Sequence, residues 1–189
     1  MKSVLFAAVS LSLAVAQSQQ LTPTVTGAPY SADQVQERSV VENGQLVTSA
    51  AVIIGHFYRD SRGRTRTESA LKTGPWRIEI HDPVAGVAYL LDEKTKVAYR
   101  TRISTTAPAR NPRATVVSLG TQTIDGLVAE GILTIYPALS VETWDSVELK
   151  VTVLTKSSNG YSSRLVNLKR EEPDVALFRP PAEYAIVDQ

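Results

Sequence analysis

The run Trp76-Arg77-Ile78-Glu79-Ile80-His81, closed by Asp82-Pro83, decides the fold. Trp76, Ile78 and Ile80 alternate with Arg77, Glu79 and His81, and a period of two marks a half-buried strand. The same texture continues on both sides. Downstream, residues 87–91 extend again and Asp92-Glu93-Lys94-Thr95 turns the chain. Val97, Tyr99, Thr101 and Ile103 then face one way while Ala98, Arg100 and Arg102 face the other. Upstream, Gly74-Pro75 breaks a run at 64–71 that alternates charged and threonine side chains. Before it come the turn Asp60-Ser61-Arg62-Gly63 and a Val-, Ile- and Ala-rich run at 46–58.

Further out, three dipeptides signal tight hairpins: Asn43-Gly44, Asp125-Gly126 and Asn159-Gly160. Residues 31–42 read either as a short helix, with Ser31 and Gln34 as a capping box, or as a strand ending near Glu42; the Asn43-Gly44 turn favours the strand. Residues 104–112 carry two prolines and form a loop, and 115–119 extend briefly. Strands follow at 127–135, at a short piece 141–144, at 149–153 with Leu149, Val151 and Val153 on one face, and at 161–168. Asp174 caps a single helical turn at 175–178, Pro180-Pro181 ends it, and 184–187 is a last short strand. Roughly nine strands joined by tight turns give a mostly β fold: a single antiparallel sheet with at most short helices. No helical stretch is long enough for a parallel crossover, and neither G-x-G-x-x-G nor G-x-x-x-x-G-K occurs.

The N-terminus reads as an address. Lys2, an apolar run at 4–13 and Ala14-Val15-Ala16 before Gln17 make a secretory signal peptide over 1–16. A flexible leader follows at 17–29, and 30–189 is a single antiparallel β domain. At 43% apolar and 21% charged residues the composition is globular, which excludes collagen-like and wholly disordered chains. The absence of cysteine removes disulfide frameworks, iron–sulfur clusters and thiol nucleophiles, and with only 2 histidines a metal site is not expected. Once Lys2 is removed the charges balance, so no global field gathers nucleic acid or an anionic membrane, and the processed chain does not span a membrane.

Several segments carry a resemblance: residues 58–68 around the arginine-rich turn, Val87-Ala88-Tyr89-Leu90-Leu91-Asp92, Leu119-Gly120-Thr121-Gln122-Thr123-Ile124-Asp125-Gly126, Glu142-Thr143-Trp144-Asp145, and Glu172-Pro173-Asp174 through Leu177-Phe178 to Pro181 and Tyr184. Over about residues 30–187 the order of these pieces resembles uncharacterised exported proteins of acidobacteria. More distantly it is similar to the outer-membrane lipoprotein-carrier-like superfamily of LolA, LppX and RseB types. That resemblance implies a half-barrel-like curved sheet around an apolar groove, in the periplasm or outside the cell. Carriers close the groove with long helices, which this chain lacks, and no carrier site residue matches here position by position.

The chemistry-bearing residues point to binding. There is no G-x-S-x-G elbow. His81 falls on a polar strand face, and His56 shares a face with Val52 and Ile54, where a backbone carbonyl partner is expected. The aspartates of the turns, Asp82, Asp92, Asp125 and Asp145, suit local backbone bonding. Trp76, Tyr89, Tyr99 and Trp144 line a groove or fill a core. Arg59, Arg62, Arg64 and Arg66 form either an anion or partner clamp or a charged hairpin tip with cross-strand ion pairs. The expectation is an exported, non-catalytic binding module of the envelope, without cofactor or metal, holding a lipid or other apolar ligand. An envelope protein–protein interaction module and a carboxylate-dependent hydrolase are the alternatives.

Overall fold

A computed structural model describes residues 24–71, 74–103 and 114–189. The residues read as a signal peptide, the first part of the expected leader and the expected loop at 104–112 lie outside the described residues. Thirteen strands form one sheet that curls without closing. They are β1 (Tyr30–Glu42), β2 (Gln45–Thr48), β3 (Val52–Arg59), β4 (Thr65–Ser69), β5 (Arg77–Asp82), β6 (Val87–Asp92), β7 (Val97–Arg102), β8 (Thr115–Ile124), β9 (Leu127–Ile135), β10 (Ser140–Ser146), β11 (Thr152–Ser157), β12 (Tyr161–Lys169) and β13 (Ala185–Asp188). The spatial order is β13-β7-β6-β5-β4-β3-β1-β12-β11-β10-β9-β8, with β2 paired to the far end of β1.

The antiparallel sheet expected from alternation is present, with the curvature that the resemblance implies, and the strand count exceeds nine for local reasons. The run at 46–58 is two strands, because the chain bends at Ser49, whose amide bonds Arg38 O at 2.8 Å and whose hydroxyl accepts from Arg38 N. Residues 31–42 are strand throughout, and Asn43 and Gly44 take the positive φ (52° and 78°) that a two-residue hairpin turn requires. The three short extended runs are all full strands. One of them, β13, runs parallel to β7, with Ala185 opposite Val97, because the segment before it crosses a sheet face instead of turning back. At 149–153 the alternation is misleading. Lys150 has φ 52°, and Ser146 N bonds Val151 O, so residues 147–151 are a tight loop and β11 starts at Thr152.

Topologically, β1 is the seam between two meanders. β3 to β7 run away from it on one side, and β8 to β12 return to it from the other. Each meander has its own core. In the first, Ile78, Ile80, Leu91, Ala98 and Tyr184 are buried together, with Tyr89 packed beside them. The pairs Ile78↔Leu91, Ile80↔Tyr89 and Leu91↔Ala98 put these strand residues on one face. In the second, Leu127, Ala129, Trp144, Leu149, Val153 and Leu165 pack with Tyr30 and Ala32 of β1.

The first core is covered by the C-terminal segment. Its single 3-10 turn, Val175–Phe178, is where the sequence places it, and the Asp174 carboxylate accepts from Ala176 N at 2.9 Å as the cap. Phe178 is 1% exposed and lies under the Arg64 guanidinium. Arg66 donates to Leu177 O, and the Glu172 carboxylate accepts from Ser61 N and Oγ. Among the described residues no helix is long and apolar enough to cross a membrane.

Candidate functional site

The second core is built on a flat floor. Leu127 and Ala129 alternate inward along β9, and Gly131 continues the row. A Cβ on Gly131 would lie 2.6 Å from the Trp144 ring, so glycine is what lets the indole lie against the strand. The indole N–H donates to Glu142 at 2.6 Å, which together with Lys156 holds that carboxyl below its ordinary pKa. Leu149 reaches the same core from the 147–151 loop because its amide bonds the Ser146 hydroxyl, and it is 2% exposed. Arg59 fastens this loop to the segment before β1. Its guanidinium donates to Ala28 O and Leu149 O and stacks over Tyr30. Burial pushes the Tyr30 phenol up, with the Arg59 charge opposing it. Thr24–Pro29 is tied down as well, since Gly27 N bonds Ser61 O.

Beside this core lies an open groove of about 440 Å³. Ile124, Leu127, Val153, Leu165 and Leu168 give it apolar walls; Asp125, Arg164, Asn167 and Arg170 form the polar part of the lining. A second groove of about 630 Å³ shares Leu168 and Asn167 with it and is lined otherwise by Ser31, Ala32, Asp33, Tyr58 and Lys169. Asn167, at φ 54°, is the irregular residue of β12 between the two, and its side chain donates to Asp33 Oδ2 at 2.7 Å. The other oxygen of Asp33 meets His56 Nδ1 at 2.6 Å. These partners, Asn167 foremost, lower the Asp33 pKa. Burial and the Glu68 charge raise that of Tyr58. Among the described residues no buried side-chain nitrogen or oxygen lacks a hydrogen-bond partner.

The residues singled out in the sequence are dispersed. Trp144 belongs to the second core and Tyr89 to the first. Tyr99 pairs with Leu90 on the sheet face opposite Tyr89. Trp76, just outside β5, stacks on His56 with ring centroids 4.9 Å apart. None of the four lines either groove. His56 takes the Asp33 carboxylate rather than a backbone carbonyl, because the register sets Asp33 directly opposite it. The arginine-rich turn is also not a solvated tip. Arg59 and Arg64 are 5% and 7% exposed, Arg64 being paired with a buried Asp60. Arg66 pairs with Glu68 at 2.6 Å along one face of β4, an ion pair within the strand and not the cross-strand pair expected. Of these four arginines, Arg62 is the one whose side chain is exposed. Asn167, Leu168 and Asp33 were not legible as site residues, because a bulge in β12 brings them together.

No family model matches the chain, and no curated protein matches it. Solved structures do. The fold aligns over 86% of this chain and 91% of an uncharacterized conserved protein from Thermus thermophilus, with a TM-score of 0.53 and 11% identity. It aligns over 86% of this chain and 31% of PNGF-II, with a TM-score of 0.52 and 12% identity, so the chain spans about a third of that protein's length. A LolA superfamily protein from Nitrosomonas europaea aligns over 82% of this chain and 91% of its own at a TM-score of 0.35 and 8% identity. At such identities the first two likenesses concern the fold alone.

Proposed function

We propose that the chain is an exported, non-catalytic binding module of the cell envelope that holds a lipid acyl chain, or an apolar group of similar shape, in the groove between the start of β9 and β12. The observation that carries this reading is the groove itself. Its volume of about 440 Å³ falls in the range of small-molecule sites, its walls are leucine, isoleucine and valine, and it opens directly beside the core. Two of its polar residues already have partners within the chain: Arg170 pairs with Glu148 at 3.0 Å and Asn167 with Asp33 at 2.7 Å. That favours holding a ligand over transforming one. Export rests on the pattern of residues 1–16, and the LolA-like resemblance in the sequence agrees with a carrier-type role.

Native mass spectrometry of the exported protein tests the reading. Co-purified lipid, displaced by a fluorescent fatty acid that then binds with one-to-one stoichiometry, is the expected result. Bare polypeptide that takes up no fatty acid contradicts it. A second reading, an envelope protein–protein interaction module, draws on the β1–β2 hairpin, where Val41 and Leu46 are 71% and 72% exposed. Crosslinking in the exported fraction, repeated with Leu46→Asp, separates the two.

A further inference from the structure

The strand path of this unclosed sheet ends at two edge strands, β13 and β8, which are built differently; the four-residue β2 beside β1 adds a short third edge. The β13 edge is four residues long and ends in Asp188, whose carboxylate is held by Arg100 at 2.6 and 2.8 Å. A short strand carrying charge resists further pairing. The β8 edge is ten residues, Thr-Val-Val-Ser-Leu-Gly-Thr-Gln-Thr-Ile, with no charged side chain and no proline. All but its last residue are exposed. β8 pairs only with β9 among the described residues, which leaves its other row of backbone donors and acceptors open. Gly120, at φ 78° beside the register shift, divides the strand into an apolar part and a polar part. Val116, Val117 and Leu119 of the apolar part are 52%, 43% and 39% exposed. Ile132, Ile135 and Tyr136 on the neighbouring stretch are 38%, 41% and 36% exposed.

We propose that β8 pairs antiparallel with β8 of a second copy through residues 115–119, giving a two-fold dimer with one continuous sheet. A two-fold axis normal to the sheet at Val117 sets Val117 against Val117 and Val116 against Ser118 of the other copy, each pair on one face of the joined sheet. Apolar side chains then meet apolar or small ones, and no like charges face each other. The same apolar residues become covered on both copies, as a self-complementary interface requires. The β13 edge cannot extend the chain of contacts, so pairing stops at two copies. This proposal is independent of what occupies the groove.

Sedimentation velocity on the exported chain over a wide concentration range tests it. The expected result is a reversible monomer–dimer equilibrium that Val117→Lys shifts roughly tenfold or more towards monomer. Leu46→Lys, a change at a still more exposed apolar site on the other hairpin, leaves the equilibrium in place. Val117→Cys chains form a disulfide-linked homodimer on oxidation. Thermal unfolding of each variant confirms that it is folded. A chain that stays monomeric throughout overturns the proposal. So does a dimer indifferent to Val117→Lys, open-ended polymer growth, or a different protein bound at β8 in place of the second copy.

Discussion

The two meanders that flank β1 solve the same problem in opposite ways. Each strand ladder presents an apolar face that must be covered. Over β4 to β7 the chain covers its own face with the segment from Glu172 to Tyr184, which seats Phe178 and Tyr184 and is fastened by Arg64, Arg66 and Ser61. Over β9 to β12 the cover, among the described residues, is the 147–151 loop with Leu149 and the short segment before β1. There the apolar surface runs out into a groove. The difference teaches that the groove is a gap in self-coverage, not a pocket assembled around reactive groups. On the proposed reading, a ligand would do for one half what the C-terminal segment does for the other.

The largest expected effect breaks the sealed half. Asp60 is 1% exposed, and its carboxylate bonds the Arg64 side chain and the Arg62 and Arg64 amides. Asp60→Ala leaves the 7%-exposed Arg64 without its carboxylate. Stability to urea should fall by about 3–5 kcal/mol, the cost of breaking a buried ion pair from one side. Phe178→Ala removes the centre of the covering segment and should cost about 3 kcal/mol or more, read by the same denaturation curves. A loss under ~1 kcal/mol from either change means that the segment does not seal this face.

The open half should respond differently. Ile124→Trp fills the groove at a half-buried position, so it should change stability by less than about 1.5 kcal/mol while weakening fatty-acid binding at least tenfold. Leu90→Trp, on the exposed side of the sealed half, should leave binding intact. Gly131→Val lies between these cases. Its side chain displaces the Trp144 ring and should cost about 1–3 kcal/mol, visible as a shift in tryptophan fluorescence.

The smallest effect concerns acid. The Asp33 carboxyl has a lowered pKa in the folded protein, chiefly through Asn167 and also through His56. A carboxylate with a depressed folded-state value stabilises the fold above its unfolded pKa, and that contribution fades as pH falls through the folded value. The protein should therefore lose stability as acid is added below about pH 4, and Asp33→Asn should flatten that loss. Melting curves across that range measure it.

How much of this was legible in the sequence follows from what each signal depends on. Alternation at Ile78 and Ile80, the Asn43-Gly44 turn and the Asp174 cap depend on neighbours in sequence, and the structure has them where the sequence puts them. The Leu149-Val151-Val153 pattern mimicked a strand, because a buried loop residue and two flanking valines produce the same period. The Arg59 and Arg64 environments were hidden, since their partners, Leu149 O and Phe178, lie 90 and more residues away. The groove was hidden for the same reason. Its walls come from the β8–β9 turn and from β11 and β12, and only the course of the sheet brings Ile124 to Leu168.

The most direct test of the gap in self-coverage is a methyl NMR titration of the protein with a medium-chain fatty acid. The account predicts saturable shifts at Leu127, Val153, Leu165 and Leu168, with Ile78, Ile80 and Leu91 unmoved. Shifts confined to Ile78, Ile80 and Leu91, or none at all, contradict it.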